Sequence, residues 1–132
     1  MIYIDTSAFL AVLDADDKNH VSAGKTWEDL INKEEPFICG SPVLIETNAL
    51  VQHRLGVKAV KIFHEDIFPI LSVEWADESV YRAGMSSVLT AAQKKLSLVD
   101  CMSFEIMRRL GVKRVFAFDK HFKEQGFQCL PA

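Results

Sequence analysis

Five short apolar runs, rich in β-branched and aromatic residues, alternate along this chain with longer segments of helical period, and that alternation is what most restricts the fold. The runs are Ile2 to Asp5, Phe37 to Gly40, Ile70 to Val73, Arg114 to Phe118 and Phe127 to Leu130. They are too apolar for a sheet with one wet face, so the expectation is an α/β fold with a parallel sheet and helices on both sides. At 132 residues the chain is one domain's worth. A chain of that size buries roughly two-thirds of the surface its unfolded form exposes, enough for a core that needs no disulfide or metal staple. Any metal bound is therefore expected to serve function.

Helix punctuation places the intervening segments. Ser41-Pro42 reads as an N-cap followed by Pro at the first helical position, opening a helix that runs through Glu46 to a stop at Gly56. Asp77 opens another, with Val80, Gly84, Ser87, Val88 and Ala91 as a small-residue stripe. Asp100 opens a third, ending at Leu110-Gly111, in which Cys101, Phe104, Met107 and Leu110 recur at three-residue spacing. No repeat, linker or second domain is visible.

In a parallel α/β sheet every strand ends and every following helix begins at one edge, and ligands bind there. Four acids map to that edge: Asp5 after the first strand, Glu46 one turn into the helix after the second, Asp100 at a helix start, and Asp119 after the fourth strand. Each has a plainer reading. Asp100 alone is a reasonable N-cap, Asp119 reads equally well as a turn residue, and Glu46 as a solvated helix position. Asp5 is harder to dismiss, because an acid among Ile4, Ala8, Phe9 and Leu10 must be satisfied by something.

If the four converge, two carboxylates ~5 Å apart at an effective dielectric of ~20 repel by roughly 3 kcal/mol, and several such pairs approach the ~5–15 kcal/mol stability of a whole domain. Protonation with a raised pKa is one remedy. An all-oxygen set with no His or Cys also favours a hard cation, Mg²⁺ or Mn²⁺. Such a site suits phosphoester hydrolysis: the ion polarises the phosphoryl group and acidifies water, while an uncommitted carboxylate accepts the proton. Thr6 and Ser7 are placed to orient Asp5, or to cap the first helix, or both; Ser103, a turn beyond Asp100, is placed to act likewise or to be an ordinary surface serine.

These residues resemble a known family, the PIN-domain ribonucleases, and in particular the VapC-type toxins of toxin–antitoxin pairs. The resemblance lies in Tyr3-Ile4-Asp5-Thr6-Ser7-Ala8-Phe9, Leu44-Ile45-Glu46-Thr47-Asn48-Ala49-Leu50, Leu96 through Phe104, and Phe116-Ala117-Phe118-Asp119-Lys120-His121-Phe122. It spans the full length. It implies a single PIN domain over residues 1–132, a five-stranded parallel sheet between helices, an acidic Mg²⁺ or Mn²⁺ site, and endonucleolytic cleavage of RNA. It also implies a homodimer and inhibition by a small cognate antitoxin protein. Carried over position by position, Asp5, Asp100 and Asp119 are the metal ligands and Glu46 completes the quartet, with no departure from the pattern at any of the four.

Charge sits awkwardly with RNA, since the chain carries a formal -3. The quartet alone contributes -4, so the remainder is +1. Candidate phosphate contacts are Arg54, Lys58, Lys61, Lys94, Lys95, Arg108, Arg109, Lys113 and Arg114, most of them ordinary solvated residues, and Lys120, which alone stands beside the acidic site. Of the histidines only His121 lies at the catalytic edge. Cys39, Cys101 and Cys129 show no CxxC spacing and read as small buried hydrophobes in a reducing cytosol. No run approaches the ~18 apolar residues of a membrane span and no basic n-region precedes the apolar start, so a soluble, cytoplasmic protein without an export signal is expected.

A receiver domain would need an acidic pair after the first strand and a Lys after the last; neither is present. A haloacid-dehalogenase-type phosphatase would need an acid where Ser7 stands. The rival that survives is a PIN-fold module that binds RNA or protein without cutting.

Overall fold

Strands β1 (Ile2–Ile4), β2 (Phe37–Gly40), β3 (Leu71–Glu74), β4 (Arg114–Phe116) and β5 (Gln128–Leu130) form one sheet in the computed structural model, which describes residues 1–132. Every neighbouring pair is parallel and the order is β3-β2-β1-β4-β5. Tyr3 lies opposite Ile38 on one side and Val115 on the other. All residues of β1 and β2 are buried, whereas edge strands β3 and β5 are only partly covered. Successive side chains of a strand point to opposite faces, so the unbroken burial of the central strands means that both faces are covered.

The strands are shorter than their apolar runs suggest, because the flanking residues have other work. Asp5 leaves the ladder to cap helix α1 (Thr6–Leu13), although its N–H still bonds the Phe116 carbonyl at 3.0 Å. Ile70 belongs to a 3-10 turn (Phe68–Ile70), and the Phe127 N–H closes the turn after helix α7 (Lys120–Glu124) by bonding Phe122 O at 3.1 Å.

Helix α2 (His20–Asn32) carries no side-chain cap. Ala23, Trp27 and Leu30 hold it at helical spacing: Ala23 and Leu30 are buried, and Trp27 stacks on Phe37 with centroids 5.2 Å apart. Helix α3 (Ser41–Leu55) ends at Gly56, whose φ of 90° glycine tolerates best. Its start differs from expectation: Gly40 is the N-cap, because the Ser41 hydroxyl is drawn sideways to accept the Ala76 N–H at 2.9 Å.

After helix α4 (Val57–Ile62), a π-helical turn (Phe63–Ile67) sinks Phe63 and Ile67 into the core, with Phe63 edge-on to Phe9, while Ile62 stays exposed. Burying such a side chain is worth roughly 1.5–3 kcal/mol. Asp77 caps helix α5 (Glu78–Ala91) by accepting the Val80 N–H. Its stripe is buried at Val80 and Gly84, where a Cβ on Gly84 would stand 2.7 Å from Met102 Cγ of helix α6 (Leu98–Leu110). Along α6, Cys101, Phe104 and Met107 are buried as their spacing requires, while Leu110 at the end is exposed.

Candidate active site

β1 and β4 lie side by side at the centre of the sheet, and the chain leaves them in opposite directions, β1 towards β2 and β4 towards β5. A crevice opens outside the carboxyl ends of the strands at such a reversal, and neighbouring strands are only ~4.8 Å apart there. Asp5 follows β1 directly and Asp119 lies three residues beyond β4, as the N-cap of α7. Asp100 enters from α6.

Each carboxylate is held by one oxygen. Asp5 is 4% exposed, and its Oδ2 accepts the Ser7 N–H at 3.1 Å and the Ser7 hydroxyl at 2.6 Å. The Ser7 hydroxyl in turn accepts the Phe118 N–H at 3.0 Å, tying the exit of β1 to the loop that carries Asp119. Asp119 Oδ1 accepts the His121 N–H at 2.9 Å. Asp100 stands at the third position of α6, not at its cap as the sequence suggested. Ser97 is the cap, its hydroxyl accepting the Asp100 N–H at 3.1 Å while Asp100 Oδ2 faces the Ser97 N–H at 3.4 Å.

The second oxygen of each acid takes no hydrogen bond from the protein, and no fully buried side-chain oxygen is left unpartnered. Each of those three oxygens therefore keeps some contact with solvent.

The charges of these acids act on one another. Burial, reinforced by the charges of Asp100 and Asp119 and opposed by the Ser7 bonds, pushes Asp5 up to about 7. Burial and the charge of Asp119 push Asp100 up to about 6, against the Ser97 bonds and the nearby His121. Glu46, half-buried in the second turn of α3, is not among the main charges acting on either acid. Asp5, Asp100 and Asp119 are thus coupled through their charges.

The remaining expected residues divide. Ser7 orients Asp5, whereas the buried Thr6 hydroxyl accepts a bond from Thr47 at 3.3 Å instead. Ser103 is fully buried and accepts the Tyr3 hydroxyl at 2.8 Å, which itself accepts the Gly40 N–H. It braces α6 against the sheet and makes no bond to Asp100, whose partner is Ser97. Lys120 is exposed beside Asp119 and enters no ion pair. His121 is 8% exposed, with Nδ1 3.2 Å from Glu124 Oε2.

Several other cations are engaged away from the acids. Arg114 grips Glu35 with both arms, Arg109 pairs with Glu105, and Arg108 lies over Phe104 and Phe127. Cys39 is buried and its thiol is pushed up to about 12 by that burial, which makes it unreactive. Ser97 and Thr47 are the polar positions sequence reading passed over; Ser97-Leu98-Val99-Asp100 is a capping-box spacing that signals the first.

No three acids, histidines or cysteines stand close enough to enclose an ion unaided. Mg²⁺ does not ask for that. It keeps several waters and is usually held by one or two carboxylates together with substrate phosphate. Oxygen-only donors, each with an unclaimed oxygen, mutually repelling and without a salt-bridged Lys or Arg, fit such an ion. The surface clefts, of about 80 to 350 Å³, include none of the four carboxylates, and Asp5 and Asp100 are buried at the ledge formed by the carboxyl ends of the strands.

A parallel sheet in this order with acids at its central switch point is the arrangement of a PIN domain, and residues 2–128 match the family model of that name; the chain belongs to the PIN domain family. Among its relatives is a 23S rRNA-specific endonuclease, VapC20 of Mycobacterium tuberculosis, 29% identical over 128 residues that cover 96% of this chain and 95% of the relative. A VapC ribonuclease of Aquifex aeolicus is 24% identical over 98% of this chain and 96% of its own. The crystal structure of Mycobacterium tuberculosis VapC20, a sarcin–ricin loop cleaving toxin, superposes with a TM-score of 0.83 at 26% identity, covering 96% of each chain. That of FitAcB from Neisseria gonorrhoeae shares the fold, with a TM-score of 0.71 at 16% identity over 98% of this chain and 96% of that one.

Proposed function

We propose that this chain is a metal-dependent endoribonuclease, the toxin of a toxin–antitoxin pair, in which Asp5, Asp100 and Asp119 hold Mg²⁺ or Mn²⁺ and Glu46 completes the acidic set. What supports the reading is that Asp5 and Asp119 follow the central strands β1 and β4, that each of Asp5, Asp100 and Asp119 has one oxygen fixed by a local bond, and that the charges of Asp100 and Asp119 act on Asp5, in a PIN-family sheet. Residues 1–132 act as one PIN domain. By likeness to the Mycobacterium tuberculosis relative, the substrate is a structured loop of large-subunit ribosomal RNA. A homodimer restrained by a small antitoxin protein is the corresponding assembly, and no helix is long and apolar enough to cross a membrane.

When bound, the cation would supply Lewis acidity towards the phosphoryl group and lower the pKa of water. The chain's own residues do the rest. Ser7 and Ser97 hold the Asp5 and Asp100 carboxylates so that the unclaimed oxygens face outward. A carboxylate of the set not committed to the ion accepts the proton of the attacking water. Lys120, exposed at the rim beside Asp119, meets the RNA backbone, where it partly offsets the acidic ledge.

The test incubates wild type and Asp5→Asn with a structured RNA pool, with Mg²⁺, with Mn²⁺ and with chelator. Cleavage by wild type only in the presence of metal, and none by the variant, is expected. No cleavage under any condition, with RNA binding undiminished in both proteins, would instead favour a non-catalytic PIN module.

A further inference from the structure

Helix α3 buries the stripe Leu44, Thr47 and Val51, and Thr47 is the one hydroxyl in it, with no exposed surface. Packing alone would be served by an apolar residue there. A buried hydroxyl costs free energy unless it is bonded, and this one spends its proton on Thr6 Oγ1 at 3.3 Å, across 41 residues of chain. Apolar contacts such as those of Leu44 and Val51 are non-directional and leave a helix some freedom to roll. A hydrogen bond is directional and, even at this length, favours one rotation.

The two ends of this bond are informative. Thr6 follows Asp5, and Thr47 follows Glu46, so the bond joins the residues next to two members of the acidic set. Successive helical side chains are ~100° apart around the axis. With Thr47 pinned against α1, the direction in which Glu46 leaves α3 is set.

We propose that Thr47 is a positioning residue: its bond to Thr6 fixes the rotation of α3 and so holds Glu46 towards the ledge of Asp5, Asp100 and Asp119. The proposal rests on the reading of that ledge as a divalent-cation site. It deepens that reading by giving Glu46, the acid the main charges leave aside, a mechanical link to the other three.

The experiment measures Mn²⁺ binding by calorimetry, with a thermal melt of each protein, for wild type, Thr47→Val, Thr47→Ser, Glu46→Gln and the Glu46→Gln/Thr47→Val pair. Thr47→Val keeps the shape and deletes the donor. It is expected to weaken Mn²⁺ about tenfold, the lower end of what removing a ligand's supporting partner does. Thr47→Ser is expected to restore affinity, and Thr47→Val to add nothing once Glu46 is Gln. A Thr47→Val protein that melts lower yet binds Mn²⁺ as wild type does would overturn the proposal alone. So would an equal loss in the Glu46→Gln background, because Thr47 would then act by another route. Absence of Mn²⁺ binding by wild type would overturn the ledge reading and this proposal with it.

Discussion

Asp5 sits at about 7 and Asp100 at about 6, both well above the ~3.9 of an aspartate in an unfolded chain, because burial, helped by the charges of Asp100 and Asp119 on Asp5 and of Asp119 on Asp100, outweighs the bonds from Ser7 and Ser97. The linkage follows directly. Between pH ~4 and each folded value the native state holds a proton that the unfolded state has released, so stability falls as pH rises. The contribution is complete below pH ~4, is lost for Asp100 by about pH 6 and for Asp5 by about pH 7, and changes no further above that. Thermal melts in chelator should therefore show Tm declining from pH 5 to pH 8. Asp5→Asn should remove most of that decline and melt above wild type at pH 8, since an amide can keep an acceptor towards Ser7 without the charge. A wild-type Tm that rises over this range, or an Asn variant less stable at pH 8, would contradict the assignment. Asp5 itself was legible in the sequence as an acid among apolar neighbours. Its state was not, because the charges that act on it lie 95 and 114 residues further along the chain.

Among the elements, α6 shows how a motif can be visible while its geometry is misread. Asp100 announced a helix start, but the cap is Ser97 three residues earlier, and the acid's distance from the terminus decides which way its second oxygen points. Ser97→Ala should lose roughly 0.5–2 kcal/mol of stability, the ordinary worth of an N-cap, and release one of the two bonds across the capping box. A lowered Tm together with weaker metal-stimulated cleavage is expected, with Ser97→Thr close to wild type; unchanged activity at a lowered Tm would show that the box only caps. The strands were legible from their apolar runs, and their ends were not, since Asp5, Ile70 and Phe127 are apolar-run members recruited to caps and turns. Helix α2 begins after Asn19, a favoured N-cap residue that makes no capping bond here, so tertiary packing of Ala23, Trp27 and Leu30 holds it.

For the molecule as a whole, the parallel sheet sets Asp5 after β1 and Asp119 beyond β4, two strands that neighbour one another although the acids are 114 residues apart. The fold could be read from the sequence because alternation is a local signal. The diversion of Ser103 to Tyr3 could not, because it depends on how α6 is rotated against the sheet. The central claim is that the carboxyl edge of this sheet is one shared divalent-cation site. Calorimetric titration of Mn²⁺ into metal-free protein, run at pH 6 and pH 8 beside Asp5→Asn and Asp119→Asn, tests it most directly, because an ion that needs ionised carboxylates must displace the protons they still carry. The account predicts saturable binding with greater proton release at pH 6 than at pH 8, and loss of that binding in both variants. Binding of equal strength in wild type and either variant would contradict it.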